Sequence, residues 1–289
     1  MTALDTASPP GAPTAGESGL LRRARVEADA ALAAAGVTVS SLGTAGETHR
    51  GADLFATIWQ TRAMDAPLSA HLLRALQFTG GYVVGGYDGA ELVAASAAFF
   101  SEGSPLELHS HITGVLPRTQ GRGLGFALKL HQRAWALERG VCSITWTFDP
   151  LVRRNAAFNL RKLGARVEHY LPAFYGVMDD GINAGDEGDR LFLRWDLTAR
   201  AGGGLQREEP TLVLAADEQE RPIEHAAGGS SVLGVGLPRD IEALRATAPA
   251  VAASWRSAVR SVLGGALADG WRVCGVGPTG AYLLERAKR

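Results

Sequence analysis

The chain has 289 residues, of which 46% are hydrophobic and 20% charged, and its formal net charge is −1. Those figures suit one large folded domain, or a domain with a smaller companion, and are too apolar for wholesale disorder. No block rich in Lys or Arg provides the electrostatic footprint of a nucleic-acid or membrane-surface partner, and no apolar run approaches the roughly 18 residues of a membrane-spanning helix.

From the N-terminus, residues 1–19 are rich in Pro, Gly, Ser, Thr and Ala, with neither the basic start nor the apolar core of a secretory signal. They read as a disordered tail, and a cytoplasmic location is expected by default. A helix is predicted over 20–35, a strand over 37–42, and helices over 47–60 and 69–77, the last ended by Gly80-Gly81. Strands at 82–86 and 92–100 flank Tyr87-Asp88-Gly89, a tight-turn composition, and a further strand at 106–116 follows the turn Gly103-Ser104-Pro105.

Pro117 and a glycine cluster then lead into a helix over 126–139 stopped by Gly140. A strand at 141–148, a helix at 152–163 closed by Gly164, and strands at 166–175 and 191–197 joined by an acidic, Gly-rich loop complete an α/β alternation with a mixed sheet. Cys142 and Cys274 lie in apolar strand-like runs without C-x-x-C spacing, and read as buried small hydrophobes rather than a disulfide or zinc site. Ala201-Gly202-Gly203-Gly204 and the charged 206–209 mark a boundary, so 20–200 form the main domain and 201–289 a small α+β lobe. That lobe is predicted to hold sheet-like runs at 211–215 and 231–236, a helix over 240–267 broken at Pro249, and a closing pair at 272–276 and 282–284. It carries no chemical motif; a packing or homodimerisation role is its default.

The most informative segment is Val115 to Gly125, V-L-P-R-T-Q-G-R-G-L-G, between a strand and a helix. Glycine lets the backbone turn sharply and approach a ligand closely, so that successive N–H groups converge on one anion. The helix start adds roughly half a positive elementary charge. The Walker pattern is absent, and G-x-G-x-x-G fails at Phe126 or at Leu128 depending on the starting glycine.

V-x-P-x-x-Q-x-x-G-x-G at a strand-helix junction, with Gln120, Gly123 and Gly125 at its signature positions, resembles the coenzyme-A loop of the GNAT superfamily of N-acyltransferases. The order of elements over 37–197 is similar to the GNAT order. His109-Ser110-His111, the run 146–150, the run 154–160, and Tyr175-Gly176 with Met178-Asp179-Asp180-Gly181 resemble a subgroup that includes amino-acid N-succinyltransferases, a likeness that extends to 240–256 and 270–273. The resemblance implies a mixed, mostly antiparallel sheet flanked by helices. It also implies an acyl-coenzyme A donor, with acetyl-CoA and succinyl-CoA both suitable, and direct attack by a small-molecule amine, an amino acid or related metabolite.

In the GNAT fold the strand before the loop splays from its neighbour and its main chain pairs with pantetheine. By that resemblance Thr113, Gly114 and Val115 border the pantetheine. The N–H groups of Gln120, Gly121, Arg122, Gly123, Leu124 and Gly125 hold the pyrophosphate, and the Arg118 and Arg122 side chains add charge.

The family's helix tyrosine, the usual proton donor to the leaving thiolate, is replaced by Leu160, and its pantetheine asparagine falls on Arg153. Asn155 and Asn159, four apart on one helical face, are the nearest candidates. By period two, Glu107, His109, His111 and Thr113 share a strand face, which makes His111 the first candidate base and Glu107 or His109 an orienting or alternative one. Asp149 is a candidate for the acceptor ammonium or for an N-cap. Tyr175 and Tyr170 are candidates for protonating the thiolate, and Arg153 and Arg154 for binding a carboxylate. No metal ligand set is apparent, since His109 and His111 lack a third partner. The missing tyrosine leaves two rivals open: a non-catalytic acyl-CoA sensor, and an enzyme that hydrolyses or decarboxylates acyl-CoA.

Overall fold

The structure is a computed structural model that describes residues 19–102, 105–178, 180–199 and 209–286. Most of the expected tail, Gly103-Ser104 of the expected turn, Asp179 and the boundary at 200–208 lie outside the described residues.

Helix α1 (Gly19–Ala35) precedes β1 (Thr38–Ser41), α2 (Ala45–Trp59) and α3 (Ala70–Phe78). Thr44 and Glu47 start α2 with a capping box: the Thr44 amide donates to Glu47 Oε2 at 2.8 Å and the Glu47 amide to Thr44 Oγ1 at 3.3 Å. Such a cap is worth about 1 kcal/mol. Next come β2 (Tyr82–Asp88), β3 (Glu91–Ser101), β4 (Glu107–Val115), α4 (Leu124–Glu138) and β5 (Ser143–Phe148). Helix α5 (Arg153–Ala156) continues as a π-helical turn (Ala157–Lys162) and is followed by β6 (Arg166–Leu171) and β7 (Arg190–Asp196).

The strands form a seven-stranded sheet in the order β1-β2-β3-β4-β5-β7-β6. Every pair is antiparallel except β4–β5, joined by the crossover helix α4. Strand β3 is covered on both faces, which its run of small and β-branched residues allows: Val93, Ala94, Ala95, Ala97 and Ala98 are all fully buried. Helices α2 and α4 cover opposite faces. A Cβ on Gly114 of β4 would stand 2.8 Å from Ile58 and 2.9 Å from Trp59 of α2, whereas one on Gly86 of β2 would stand 3.9 Å from Leu128 of α4.

The remaining elements are β8 (Thr211–Ala216), β9 (Pro222–Glu224), β10 (Val232–Val235), α6 (Ile241–Thr247), α7 (Pro249–Val259), a π turn (Arg260–Gly264), α8 (Gly265–Ala268), β11 (Trp271–Val276) and β12 (Tyr282–Arg286). Their sheet is ordered β11-β12-β10-β8-β9, with β8 and β10 parallel. The expected break at Pro249 is present, as the start of α7.

Some sequence expectations need correction. Strand β9 is too short to show a period. Residues 172–175 turn rather than extend β6, because the Asp189 carboxylate accepts from the Ala173 amide at 2.7 Å and pulls the chain inward. Cys142 is exposed and Cys274 half-buried; the adjacent Val141 takes the buried place instead. Among the described residues no helix is long and apolar enough to cross a membrane.

Candidate active site

The turn after β4 is built as the glycine spacing demands. Pro117–Thr119 form one 3-10 turn, and the chain then passes through Gly121 at φ 82° and Gly123 at φ 86° before α4 begins. Both angles lie in the left-handed region that a Cβ disfavours. A Cβ on Gly121, Gly123 or Gly125 would meet no protein atom within 4 Å, so the space over all three is open. Among the described residues, the successive amides from Gly121 to Gly125 donate to no protein acceptor. The Gln120 amide differs: it already donates to Pro117 O at 3.2 Å and drops out of the expected set.

The two arginines of the turn are also engaged. Arg118 pairs with Glu91, and Arg122 donates to Asp88 Oδ2 at 2.5 Å and to Ala35 O at 3.0 Å. They brace the turn against the β2–β3 hairpin and the end of α1. The anion-receiving surface is thus main chain at a helix start, without a free arginine supplied by the turn.

Below the turn, β4 and β5 part. They pair only at Leu108↔Ile144 and His109↔Thr145, and among the described residues no further rung joins them. The fork opens toward the glycine turn, so an extended chain held at that turn has bare β4 main chain to lie against.

A β-bulge in β4 sits just above the last rung. Ile112 faces Ala97 of β3 but Ser110 faces Ala98, leaving His111 as the extra residue. A bulge breaks the period of two and re-aims side chains. Glu107, His109 and His111 stay on the α2 face, while Thr113 moves to the α4 face, where its hydroxyl lies 2.7 Å from that of Ser96. The expectation that all four share one face therefore fails at Thr113. Gly114, beyond the bulge, is buried under α2.

His109, His111 and Phe99 form an aromatic cluster at the fork, with ring centroids 5.3, 5.8 and 6.2 Å apart. His109 Nδ1 lies 3.2 Å from Thr145 Oγ1 on the facing strand. Burial holds both imidazoles below the usual histidine range; for His109 the nearby His111 and Lys129 charges add to it, down to about 4. Both rings are neutral at pH 7 and able to accept a proton.

Several other predicted residues do not reach the fork. Glu107 is ion-paired with Arg194 and accepts from Ser143 Oγ at 2.6 Å, at the closed end of the strand pair. Asp149 is 7% exposed and locked between two arginines of the C-terminal lobe, accepting from Arg245 at 2.5 Å and from both Arg256 nitrogens at 3.0 Å. Asp186 completes this buried quartet at 2.7 Å from Arg245 and 2.8 Å from Arg256. Burial pushes Asp149 up, but Arg256 and Arg245 outweigh it and hold the carboxyl below its ordinary range. It is a structural tie, and its Oδ1 also accepts the Leu151 amide at 2.9 Å, an N-cap-like contact of the kind the sequence allows.

Asn159 is buried and accepts Trp146 Nε1 at 3.3 Å, whereas Asn155 is half-buried with no side-chain partner among the described residues. Arg154 grips Glu242 through two bonds of 2.6 Å and so is not a free carboxylate receptor, whereas the Arg153 guanidinium lies against the backbone of Gly280. Tyr170 donates to Asp189 Oδ2 at 2.6 Å, and burial raises its hydroxyl beyond any use as an acid at neutral pH. Tyr175 is 42% exposed on the β6–β7 loop, under the Arg190 guanidinium.

Sequence reasoning passed over Lys129. It is a charged residue on an apolar helix face, and only the fold brings it to the fork. Its Nζ donates to Ser110 Oγ at 2.8 Å and lies 4.1 Å from the Trp146 ring centroid.

No family model matches the chain. No curated protein matches it either. Among solved structures the chain is similar to the ribosomal-protein-S18-alanine N-acetyltransferase from Escherichia coli, at 18% identity and TM-score 0.46 over 59% of this chain and 99% of that one. It is similar also to the yncA protein from Salmonella typhimurium with its cofactor acetyl-CoA, at 18% identity and TM-score 0.45 over 58% and 98% of the two chains. A third is a GNAT family acetyltransferase from Elizabethkingia anophelis with acetyl-CoA bound, at 14% identity and TM-score 0.42 over 56% and 98%.

Proposed function

We propose that this chain is an N-acyltransferase that moves an acyl group from coenzyme A to the amine of a small molecule, an amino acid or a related metabolite, by direct attack in a ternary complex. Acetyl-CoA and succinyl-CoA are the donors to test first. The observation that carries the proposal is the row of unpaired amides from Gly121 to Gly125, set at a helix start directly above a fork between parallel strands.

The Gly121–Gly125 amides would hold the donor's diphosphate, the β4 edge from Thr113 to Val115 would pair with its pantetheine, and Asn155 would border it. Acyl transfer to nitrogen then needs a neutral base beside the reacting carbon. His111, at the bulge and kept neutral by burial, takes the proton that the attacking nitrogen loses, and His109, held by Thr145, orients it. Tyr175, exposed on the loop between β6 and β7, would be the tyrosine to test for protonating the thiolate.

A thioester-consumption assay with a panel of amines tests this: amine-dependent release of free thiol is expected. CoA binding without turnover for any amine would favour the sensor reading, which Leu160 at the tyrosine position supports. Thiol release without any acceptor would favour hydrolysis.

A further inference from the structure

Lys129 has no place in the proton transfers assigned so far, and its surroundings are unusual for a lysine. Its side chain is buried at 6% exposure, yet among the described residues no carboxylate is bonded to it. Buried lysines are normally paired or neutral, because desolvating an ammonium costs several kcal/mol.

Its position is set by the strand fork. Ser110 is the first β4 residue beyond the last rung His109↔Thr145, and Trp146 is the first of β5. Lys129 Nζ touches both, at 2.8 Å from the Ser110 hydroxyl and 4.1 Å from the Trp146 ring centroid, so the amine spans the vertex of the fork from the α4 side. The histidines approach the same vertex from the α2 face. One turn along α4, Gln132 is 1% exposed; its Oε1 lies 3.5 Å from Lys129 Nζ, and its Nε2 is buried with no partner. A buried donor without an acceptor calls for an explanation, and an acceptor that arrives with a ligand is one. Two donors, one of them ionisable, thus lie side by side on the α4 side of the fork, and among the described residues neither is bonded to a carboxylate.

We propose that Lys129 is the proton donor to the leaving thiolate, with Gln132 as its positioning residue, in place of the absent helix tyrosine. The proposal rests on the acyltransferase reading above. As the acceptor nitrogen bonds to the acyl carbon, the carbon–sulfur bond breaks and its electron pair passes to sulfur. The Lys129 ammonium gives a proton to that sulfur, yielding the free thiol. The proton lost by the nitrogen goes to His111, and both groups re-equilibrate with water once the products leave.

Burial lowers Lys129 to about 7, which matches a donor that must release a proton near neutrality. Facing it are Ser110 and, across the strand, His109 from β4, Gln132 from α4, Trp146 from β5 and Asn159 beside Trp146. Of these only His109 titrates, and it is neutral above about 4, so a limb near pH 7 belongs to Lys129.

The test measures kcat and KM against pH for the wild type, Lys129→Met and Lys129→Arg, using acetyl-CoA and succinyl-CoA with the best amine of the panel. Wild-type kcat should fall as pH rises past the Lys129 pKa. Lys129→Met should lower kcat by about 10²-fold for both donors, abolish that alkaline limb, and leave KM for the donor within about threefold. Lys129→Arg should not restore the rate, since a guanidinium cannot give up its proton at these pH values.

Because no counter-ion is orphaned, Lys129→Met should hold or raise the thermal midpoint, so folding does not confuse the result. An alkaline limb that survives in Lys129→Met, or full rescue by arginine, overturns the proposal. Loss confined to succinyl-CoA also overturns it and makes Lys129 a receptor for the donor carboxylate. An acyl group found on Lys129 by mass spectrometry overturns it in favour of a covalent intermediate. A wild type that binds CoA but acts on no amine removes the acyltransferase reading itself, and this proposal with it.

Discussion

Gly125→Ala separates stability from donor binding. Gly125 lies in the first turn of α4 with ordinary helical backbone, and a Cβ there meets no protein atom within 4 Å. Replacing such a glycine by alanine narrows the unfolded ensemble and should stabilise the folded chain by about 0.4–1 kcal/mol. In a chain of this size that corresponds to a rise in midpoint of roughly 1–4 °C. The same methyl projects into the space above the open amides. Losing one hydrogen bond to a charged group costs about 1.5–3 kcal/mol, so CoA should bind about 10- to 150-fold more weakly. Thermal unfolding and isothermal calorimetry on one preparation report both quantities. A Gly125→Ala protein that binds CoA within threefold of wild type refutes the placement of the diphosphate.

Three further outcomes follow from particular residues. His111→Gln should lower kcat by roughly 10²- to 10⁴-fold and remove the acid limb of the pH–rate profile. That limb lies below pH 6.5, because burial depresses the His111 pKa and the base works only when neutral. Asp149→Ala leaves two buried arginines, Arg245 and Arg256, to share the Asp186 carboxylate, so one buried positive charge goes uncompensated and chemical denaturation should report a loss of about 3–5 kcal/mol. Stability should also fall as pH drops from 6.5 toward 4. His109 is depressed in the folded state, so the unfolded chain binds its proton first; its share of the loss is complete only below about 4, and His109→Gln should make that stretch of the thermal profile shallower, with His111 and His131, also depressed by burial, supplying the rest.

The order of elements from α1 to β7 was legible in the sequence, because helical and strand periods are local properties and Gly80, Gly140 and Gly164 punctuate them. The glycine turn was legible for the same reason. What the sequence hid depends on partners far along the chain. The bulge at His111 exists only against β3, and it sends Thr113 to the opposite face from the one its spacing indicates. Asp149 reads as a cleft residue until Arg245 and Arg256, about a hundred positions later, close on it. Lys129 belongs to an amphipathic helix in which one lysine carries no signal, and the fork that gives it meaning is a property of two strands parting. Asn155 and Asn159 look equivalent by spacing, yet Asn159 is taken by Trp146.

Titration of ¹⁵N-labelled protein with coenzyme A, following the backbone amides, tests the central claim most directly. The amide resonances of Gly121, Arg122, Gly123, Leu124 and Gly125 are expected to shift together, saturably and further than any other group, as they acquire phosphate acceptors. Saturable binding whose largest shifts fall elsewhere, or no shift with any CoA species, would contradict it.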